Sequence, residues 1–249
     1  MNISYRGEGY HGWQTQPGDV SVQETIEKAL TTVLRVPTSI VGAGRTDAGV
    51  NARMTVAHFD SPEMDEDRLN GLTRSLNAIC RPDIVINSIT PVADDAHARF
   101  DATHRTYRYF IHTAPDPFCY PLSWQTRPLD FGAMNRAAQC MLGTHDFTSL
   151  AKLHSDAKTN ICTVYGAGWH RVDDTHYYFE VTANRFLRNM VRAMVGTLVM
   201  VGRGQLTAEG FAEILERRDR CAAGTSMPGN ALFLWSVHYP YYNPYDKIK

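Results

Sequence analysis

The first half of the chain alternates short β-prone runs with two amphipathic helical patterns. Ile3–Tyr5 is the first predicted strand, and a Ser-x-x-Glu capping box at Ser21 opens a helix whose apolar residues recur at helical spacing until Pro37. The later elements are predicted strands at Ser39–Val41, Met54–Phe59 and Ile84–Ile89, and a helix marked by Met64, Leu69, Leu72 and Leu76. The predicted element order is β-α-β-β-α-β.

The second half gives a comparable pattern, interrupted by a proline-bearing stretch, Ala114–Leu129, that we expect to form a surface excursion. Strands are predicted at Thr106–His112, Cys162–Trp169, Tyr177–Thr182 and Leu232–Tyr239, and helices at 131–142, at roughly Arg185–Val201 and after Thr207. The order is again β-α-β-β-α-β, with insertions. The sequence therefore predicts an α+β protein of two ferredoxin-like halves, residues 1–104 and 105–249, whose antiparallel sheets join around a central cleft.

The composition is that of a chain that can bury a core. Of its 249 residues, 43% are hydrophobic and 20% are charged, which excludes a disordered polymer. The chain lacks an apolar run long enough to span a membrane, and Met1–Tyr10 lacks the charged-then-apolar pattern of a signal peptide. These features predict a cytoplasmic protein without a membrane segment.

The cysteine and histidine spacings argue against disulfides and metal ions. The five cysteines are odd in number and widely spaced, without a C-x-x-C pair, so we expect reduced thiols. None of the ten histidines forms an H-x-x-x-H or H-E-x-x-H pattern, and none lies near a cysteine at ligand spacing. The sequence therefore predicts no metal site. The absence of G-x-S-x-G also leaves a serine hydrolase unsupported.

Charge is balanced overall but concentrated locally. The 25 Lys and Arg residues against 26 Asp and Glu exclude a uniformly basic nucleic-acid binder. Between Glu180 and Glu209 the sequence has no acidic residue, and Arg185, Arg188 and Arg192 are spaced to share one face of the predicted helix. This face is either an ordinary solvated one or a phosphate-contacting one, and the missing acidic partners favour phosphate. Further basic candidates are Arg53, Arg99, Arg105 and Arg108.

A glycine-bearing loop, Gly42–Ala52, is the most distinctive segment of the first half. Its glycine spacing does not match a phosphate-cradling loop. Asp47 stands where a dinucleotide fingerprint has its third glycine, and a carboxylate there would repel a pyrophosphate. From composition alone, the loop is best interpreted as a tight turn in which glycines supply positive φ.

Six segments, taken in order, resemble the tRNA pseudouridine synthase A family. Gly44–Val50 (GRTDAGV) is similar to the family's signature, and Tyr10–Pro17 (YHGWQTQP) is similar to its N-terminal motif. The others are Phe100–Ala102 with Arg105–Tyr109, Gly143–Phe147, Phe186–Arg192 with Gly196, and Leu232–Leu234. The resemblance covers nearly the whole chain. It implies an isomerase that converts uridine to pseudouridine at positions 38–40 (tRNA numbering) of the anticodon stem-loop, acts as a homodimer on one tRNA, and needs neither cofactor nor metal.

The resemblance also implies roles for individual residues. Asp47 is the catalytic carboxylate, which attacks the base or the sugar or removes a proton in a water-poor pocket. Because a desolvated carboxylate tends to protonate without a nearby cation, the pocket should contain an arginine, and the family pattern points to Arg192. Arg45 is directed at the RNA and holds the displaced nucleotide.

Two apolar or aromatic residues complete the implied site. By strand alternation alone, Tyr107 would be assigned to the core, whereas the resemblance sets its ring against the flipped-out target base. Leu232 is implied as an apolar wall of the pocket, and a place in the strand core explains it equally well. Together with Arg188 and Arg185, these residues form the predicted substrate-binding set.

Three positions depart from the family pattern. Asn51 stands where histidine is usual, Arg6 replaces an aspartate, and Ala231 replaces a glycine. The first strand is also short, and we expect it to be a weak edge. None of these departures removes the carboxylate, its arginine or the tyrosine. The rival interpretations are a noncatalytic RNA-binding protein or RNA chaperone and, more weakly, a nucleotide-dependent oxidoreductase.

Overall fold

The computed structural model describes residues 1–80, 82–153 and 158–243, which divide into two compact units. Unit 1 comprises Met1–Thr103 and the C-terminal segment from Leu234, and unit 2 comprises His104–Phe233. In the described part of the chain, five α-helices accompany mostly antiparallel strands, which confirms the predicted mixture of helices and sheet. No helix found there combines the length and apolarity needed to cross a membrane.

Unit 1 follows the predicted element order. Its elements are β1 (Asn2–Tyr5), α1 (Val22–Leu34), β2 (Val41–Gly42), β3 (Asn51–His58), α2 (Glu66–Ile79) and β4 (Ile84–Ser88). The N-cap half of the predicted capping box is present, because the side chain of Ser21 accepts a hydrogen bond from the backbone N–H of Glu24 at 3.2 Å. Arg35, in the left-handed conformation at φ 59°, ends α1 before Pro37.

Unit 2 contains more elements than the sequence predicts. They are β5 (His104–His112), β6 (Trp124–Gln125), α3 (Phe131–Gln139), β7 (Gly143–Asp146), β8 (Ile161–Arg171), β9 (His176–Ala183), α4 (Met190–Gly202) and α5 (Ala208–Arg217). A last strand, β10 (Leu232–His238), begins in unit 2 and continues in unit 1. The short strands β6 and β7 are absent from the prediction, because they span only two and four residues and carry no apolar alternation of their own.

The strands of each unit have a defined order in the sheet. In unit 1 the order is β4-β1-β3-β10, with β2 paired to β3. The prediction of a weak edge at β1 is wrong, because β1 pairs antiparallel with both β3 and β4 and is therefore interior. In unit 2 the order is β5-β9-β8-β7, and Tyr107 of β5 lies opposite Val181 of β9.

The helix predicted at Arg185–Val201 starts later than expected. α4 begins at Met190, so Arg185 and Arg188 lie in the preceding loop and do not share a helix face with Arg192. The helix cannot extend further toward the N-terminus, because Asn189 adopts the left-handed conformation at φ 67°. Ten of the thirteen residues of α4 are buried, so α4 is a core helix and not an amphipathic one with a solvated cationic face.

Candidate active site

Asp47 lies in unit 1, in the tight loop that joins β2 to β3. The backbone N–H of Val50 donates to the carbonyl of Asp47 at 3.1 Å, which closes a turn. Gly49 supplies the positive φ, 76°, that this turn requires. Asp47 is half-buried, whereas its neighbour Arg45 is exposed. The loop is therefore a tight turn, as its glycines predict, and it also carries a carboxylate, Asp47, two residues after a cation, Arg45.

The N-terminal motif Tyr10–Pro17 braces this loop from one side. The backbone N–H of Trp13 donates to the carbonyl of Thr46 at 3.1 Å, one residue before Asp47. Gly12 has a φ of +94°, and a Cβ there would lie 2.5 Å from the same carbonyl oxygen. Only glycine permits this approach. The loop backbone next to Asp47 is thus set by a segment that is distant in sequence.

Buried side chains also pack against the start of the loop that carries Asp47. Trp13 is 3% exposed, and its indole ring lies so close to Gly42 that a Cβ there would be 2.6 Å away. The hydroxyls of Tyr5 and Thr46 are hydrogen-bonded at 2.7 Å. These contacts surround the start of the loop with packed atoms, which limits the positions that Asp47 can occupy.

The departures at Asn51 and Arg6 have structural consequences. Asn51 is 1% exposed, and its Oδ1 accepts a hydrogen bond from the backbone N–H of Gly7 at 2.9 Å. It therefore ties β3 to the segment that follows β1. The exposed guanidinium of Arg6 pairs with Glu8 at 2.6 Å. Ala231, the third departure, is fully buried just before β10.

Tyr107 lies in unit 2, in the middle of β5. Its side chain is half-buried, and its ring meets the ring of Phe186 edge to face, with 4.9 Å between centroids and an interplanar angle of 79°. Phe186 belongs to the loop that leads into α4. The structure therefore brings together two motifs, Arg105–Tyr109 and Phe186–Arg192, that are widely separated in the sequence.

Arg192 lies in the first turn of α4 and is half-buried. Its Nε donates to the carbonyl of Met227 at 2.5 Å, and the N–H of Met227 donates back to the carbonyl of Arg192 at 3.1 Å. Near it lies the buried ring of Tyr109, where burial raises the pKa of the hydroxyl and the positive charge of Arg192 acts in the opposite direction. The guanidinium is thus oriented by the backbone of another segment.

Gly196 explains how that segment reaches Arg192. A Cβ at Gly196 would lie 1.8 Å from the carbonyl oxygen of Thr225, and one at Gly224 would lie 2.7 Å from the backbone of Gly196. The hydroxyl of Thr197 accepts from the N–H of Gly224 at 3.0 Å. Because two glycines let the 224–227 segment lie directly on α4, Met227 can contact Arg192.

The remaining predicted residues of unit 2 differ in burial. Arg188 is exposed, and Arg185 is half-buried beside Cys162. Burial raises the pKa of the Cys162 thiol to about 11, while the charge of Arg185 acts against that rise. Leu232 is 5% exposed at the start of β10. The structure separates the three arginines into one exposed, one half-buried beside Cys162, and one anchored to a carbonyl.

The further basic candidates also differ in what they contact. Arg108 pairs with Glu180 at 2.6 Å, and its guanidinium lies over the ring of Tyr178 at 4.5 Å. Arg105 donates to the carbonyl of Asn184 at 2.9 Å. These two side chains serve internal contacts, whereas Arg53 and Arg99 are exposed.

Two groups of residues escape sequence reasoning. The 224–227 segment that holds Arg192 carries no recognisable motif, and only its glycine hints at a close approach. A second group, formed by Asp116, Cys119 and His176, comes together only in the fold, so the spacing of cysteines and histidines along the chain cannot find it.

Comparison with known proteins identifies the family. A family model described as tRNA pseudouridine synthase matches residues 137–240. The chain is 51% identical over 239 residues to tRNA pseudouridine synthase A of Parabacteroides distasonis, covering 96% of this chain and 94% of the relative. Proteins with the same name from Bacteroides thetaiotaomicron and Bacillus subtilis are 52% and 37% identical, covering 96% and 95% of this chain and 89% and 97% of their own lengths.

The relatives, together with the family model whose match includes α4 and Arg192, put the chain in the class of the pseudouridine synthases. Within that class, the chain belongs to the tRNA pseudouridine synthase A family. The resemblance inferred from the ordered motifs is confirmed.

Proposed function

We propose that this protein isomerises uridine to pseudouridine in tRNA. The observation that carries the proposal is the identity of about half of all residues with tRNA pseudouridine synthase A proteins over 96% of the chain. The reaction breaks the N1–C1′ bond and forms a C5–C1′ bond on the same base, while C5 loses a proton and N1 gains one. Because no group is added and no electrons are transferred, the proposal requires neither a cofactor nor a metal ion.

Asp47 is the proposed catalytic residue. The carboxylate attacks the base or the sugar, or removes a proton, while the base turns and rebonds. Two features support this assignment. The side chain is half-buried, and the loop that carries it is fixed by Trp13 and Gly12 on the residue before it. A loop fixed in this way holds the carboxylate in one geometry, and holding a catalytic group in the reactive geometry lowers the activation barrier.

Arg192 and Tyr107 are the proposed catalytic partners of Asp47. A guanidinium keeps a desolvated carboxylate ionised, and Arg192 is already oriented by the Met227 carbonyl. The Tyr107 ring stacks on the extruded base, and Phe186 supports its orientation from the edge. Leu232 lines the pocket with apolar surface.

The three other proposed substrate-binding residues contact the RNA backbone or the displaced nucleotide. The side chains of Arg45 and Arg188 are exposed, so phosphate groups of the RNA can reach them. Arg185, in the loop before α4, contributes a third positive charge to these contacts. With a net charge of −1, the chain would bind tRNA through such local positive charge, so we expect binding to weaken strongly as salt rises.

The finer features of the proposal follow the family resemblance. The target uridines are positions 38–40 of the anticodon stem-loop, the working unit is a homodimer that shares one tRNA, and the compartment is the cytoplasm, where tRNA is modified. The proposed fold is a pair of ferredoxin-like halves around a central cleft. The order β4-β1-β3, with β2 beside β3, supports it for unit 1.

The function is tested by mapping pseudouridine in unmodified tRNA transcripts after incubation with the protein, without added cofactor or metal. We expect signal at anticodon-arm uridines from the wild type, none from Asp47→Ala, and full signal from Asp94→Asn, which changes an exposed carboxylate of the same unit. Absence of signal from the wild type on several tRNAs, with binding retained, would support the noncatalytic RNA-binding interpretation instead. Gel filtration with light scattering tests the dimer.

A further inference from the structure

Three side chains that take no part in the proposed reaction converge at one end of unit 2. Asp116 and Cys119 lie in the excursion after β5, and His176 is the first residue of β9. One ligand atom from each lies within 4.8 Å of the other two. His176 Nε2 lies 3.2 Å from Asp116 Oδ2, and Cys119 Sγ lies 3.5 Å from the same oxygen. The fold thus joins a nitrogen, a sulfur and an oxygen donor that the sequence separates.

The imidazole of His176 is oriented from behind. Its Nδ1 lies 2.9 Å from both carboxylate oxygens of Asp173, so the Nδ1 proton is directed at that carboxylate. A carboxylate in this position fixes the orientation of the ring, as it does behind many metal-binding histidines. Nε2 therefore faces Asp116 and Cys119 as a lone-pair donor.

Nε2 is buried, and the described residues do not give it a hydrogen bond of acceptable geometry despite its 3.2 Å approach to Asp116. A buried polar nitrogen without such a bond is costly. A cation between the three donor atoms would remove that cost. It would also balance the charge of the two carboxylates, Asp116 and Asp173, that face this one imidazole.

The spacings suit a tetrahedral zinc ion. With zinc bonds of the usual length, the nitrogen and oxygen ligands lie about 3.3 Å apart, and the sulfur and oxygen ligands lie about 3.5 Å apart. The corresponding distances in the cluster are 3.2 and 3.5 Å. We propose that Asp116, Cys119 and His176 bind a zinc ion, with a fourth position left for water. This proposal departs from the expectation of no metal drawn from sequence spacing.

Proton release accompanies binding. A backbone hydrogen bond from Phe118 keeps the pKa of Asp116 below its usual value, so this ligand is ionised. Burial and the nearby Asp116 raise the pKa of the Cys119 thiol, which stays protonated until a cation arrives. Zinc displaces that proton, forms the Zn–S bond with the thiolate, and the proton leaves to solvent. No electron is transferred in this step.

The proposed zinc is structural. His176 pairs with His112 at the end of the β5–β9 ladder, whereas Tyr107 pairs with Val181 five residues further along β5. At the usual rise of a strand, the two pairs are about 17 Å apart. The ion would therefore fasten the excursion, with its exposed Phe118 and Tyr120, to β9 and take no part in turnover.

Cobalt(II) is the probe, because it substitutes for zinc and reports its ligands by absorbance. Titration of the chelator-treated full-length protein should saturate at one equivalent and produce a thiolate-to-cobalt charge-transfer band in the near ultraviolet. Cys119→Ser should lose that band. Cys221→Ser, which changes an exposed thiol of the same unit, should keep it. Zinc should raise the midpoint of thermal unfolding of the wild type and of Cys221→Ser, but not that of Cys119→Ser.

The proposal fails if the wild type shows no saturable cobalt binding at one equivalent, a result that needs no variant. It also fails if Cys119→Ser keeps the same spectrum. If the cluster is only an ion pair without metal, His176→Asn should be less stable than the wild type, and zinc should change the unfolding midpoint of neither the wild type nor His176→Asn. None of these readouts depends on pseudouridine formation, so the zinc proposal and the proposed function can fail separately.

Discussion

Asp47 and Arg192, the two charged residues assigned to the chemistry, are held in different ways. The loop of Asp47 is fixed through its backbone, by the N–H of Trp13 and the close approach of Gly12 to Thr46. Arg192 is fixed through its side chain, by one carbonyl that lies 35 residues away. The first arrangement depends on the close approach that Gly12 allows. The second depends on how closely the 224–227 segment packs on α4.

The largest effect is expected from Gly196→Ala. The new Cβ would lie 1.8 Å from the carbonyl oxygen of Thr225, so the 224–227 segment must move and release Arg192. We expect a loss of about 3 kcal/mol of unfolding free energy, together with reduced turnover. Urea denaturation measures the first and single-turnover kinetics the second. Gly166→Ala is the control, because a Cβ there meets nothing within 4 Å. Equal stability of the two variants would contradict the packing argument.

Gly12→Ala probes the other arrangement. The substitution combines a φ of +94° with a Cβ placed 2.5 Å from the Thr46 carbonyl, so we expect about 2 kcal/mol of destabilisation. Because the displaced atom precedes Asp47, kcat should fall more than tRNA affinity. Gly44→Ala, within the loop but with open space around it, serves as the control for stability. A drop in affinity with unchanged kcat would show that Gly12 does not position Asp47.

Arg188→Ala distinguishes an exposed arginine from an anchored one. The exposed Arg188 is proposed to meet phosphate, so its removal should weaken tRNA binding and reduce the slope of log affinity against log salt by about one. Arg217→Ala, on an exposed position of α5, is the matched control and should leave the salt slope unchanged. An unaltered slope in Arg188→Ala would remove this residue from the RNA-contacting set.

The smallest expected effect is a pH dependence of the stability of the protein, which arises from His58 in unit 1. Burial lowers the pKa of His58, helped by the neighbouring His97 and opposed by Asp60 and Asp101, and its Nδ1 accepts from the N–H of Ala98 at 3.1 Å. The unfolded chain therefore takes up a proton near pH 6.5, before the folded one does, and stability falls as pH decreases below that value. Urea midpoints between pH 7.5 and 5.5 should show this fall, and His58→Gln should make it shallower. An identical profile in both proteins would contradict the assignment.

The sequence predicts most of unit 1 because its signals are local. The capping box at Ser21 and the glycines of the Asp47 loop each determine the conformation within a few residues of themselves. The interior place of β1 is not predictable in this way, because pairing with β4 is decided by residues about eighty positions away.

Unit 2 is predicted less well because its contacts are distant. The periodicity of the segment predicts one continuous helix over roughly Arg185–Val201, but Asn189 in the left-handed conformation starts α4 at Met190. The hydrogen bond from Asn189 to Ser226 that accompanies this conformation comes from a segment without a motif. The same limitation applies to His176, whose neighbours Asp116 and Cys119 are visible only after β5 and β9 pair.

The most direct test of the account is a comparison of wild type and Asp47→Asn, which removes the charge and keeps the shape. We expect the single-turnover rate of pseudouridine formation to fall by about 10³-fold or more, while tRNA affinity and the unfolding midpoint remain close to those of the wild type. A variant that binds tRNA normally and still forms pseudouridine at a comparable rate would contradict the assignment of the chemistry to Asp47.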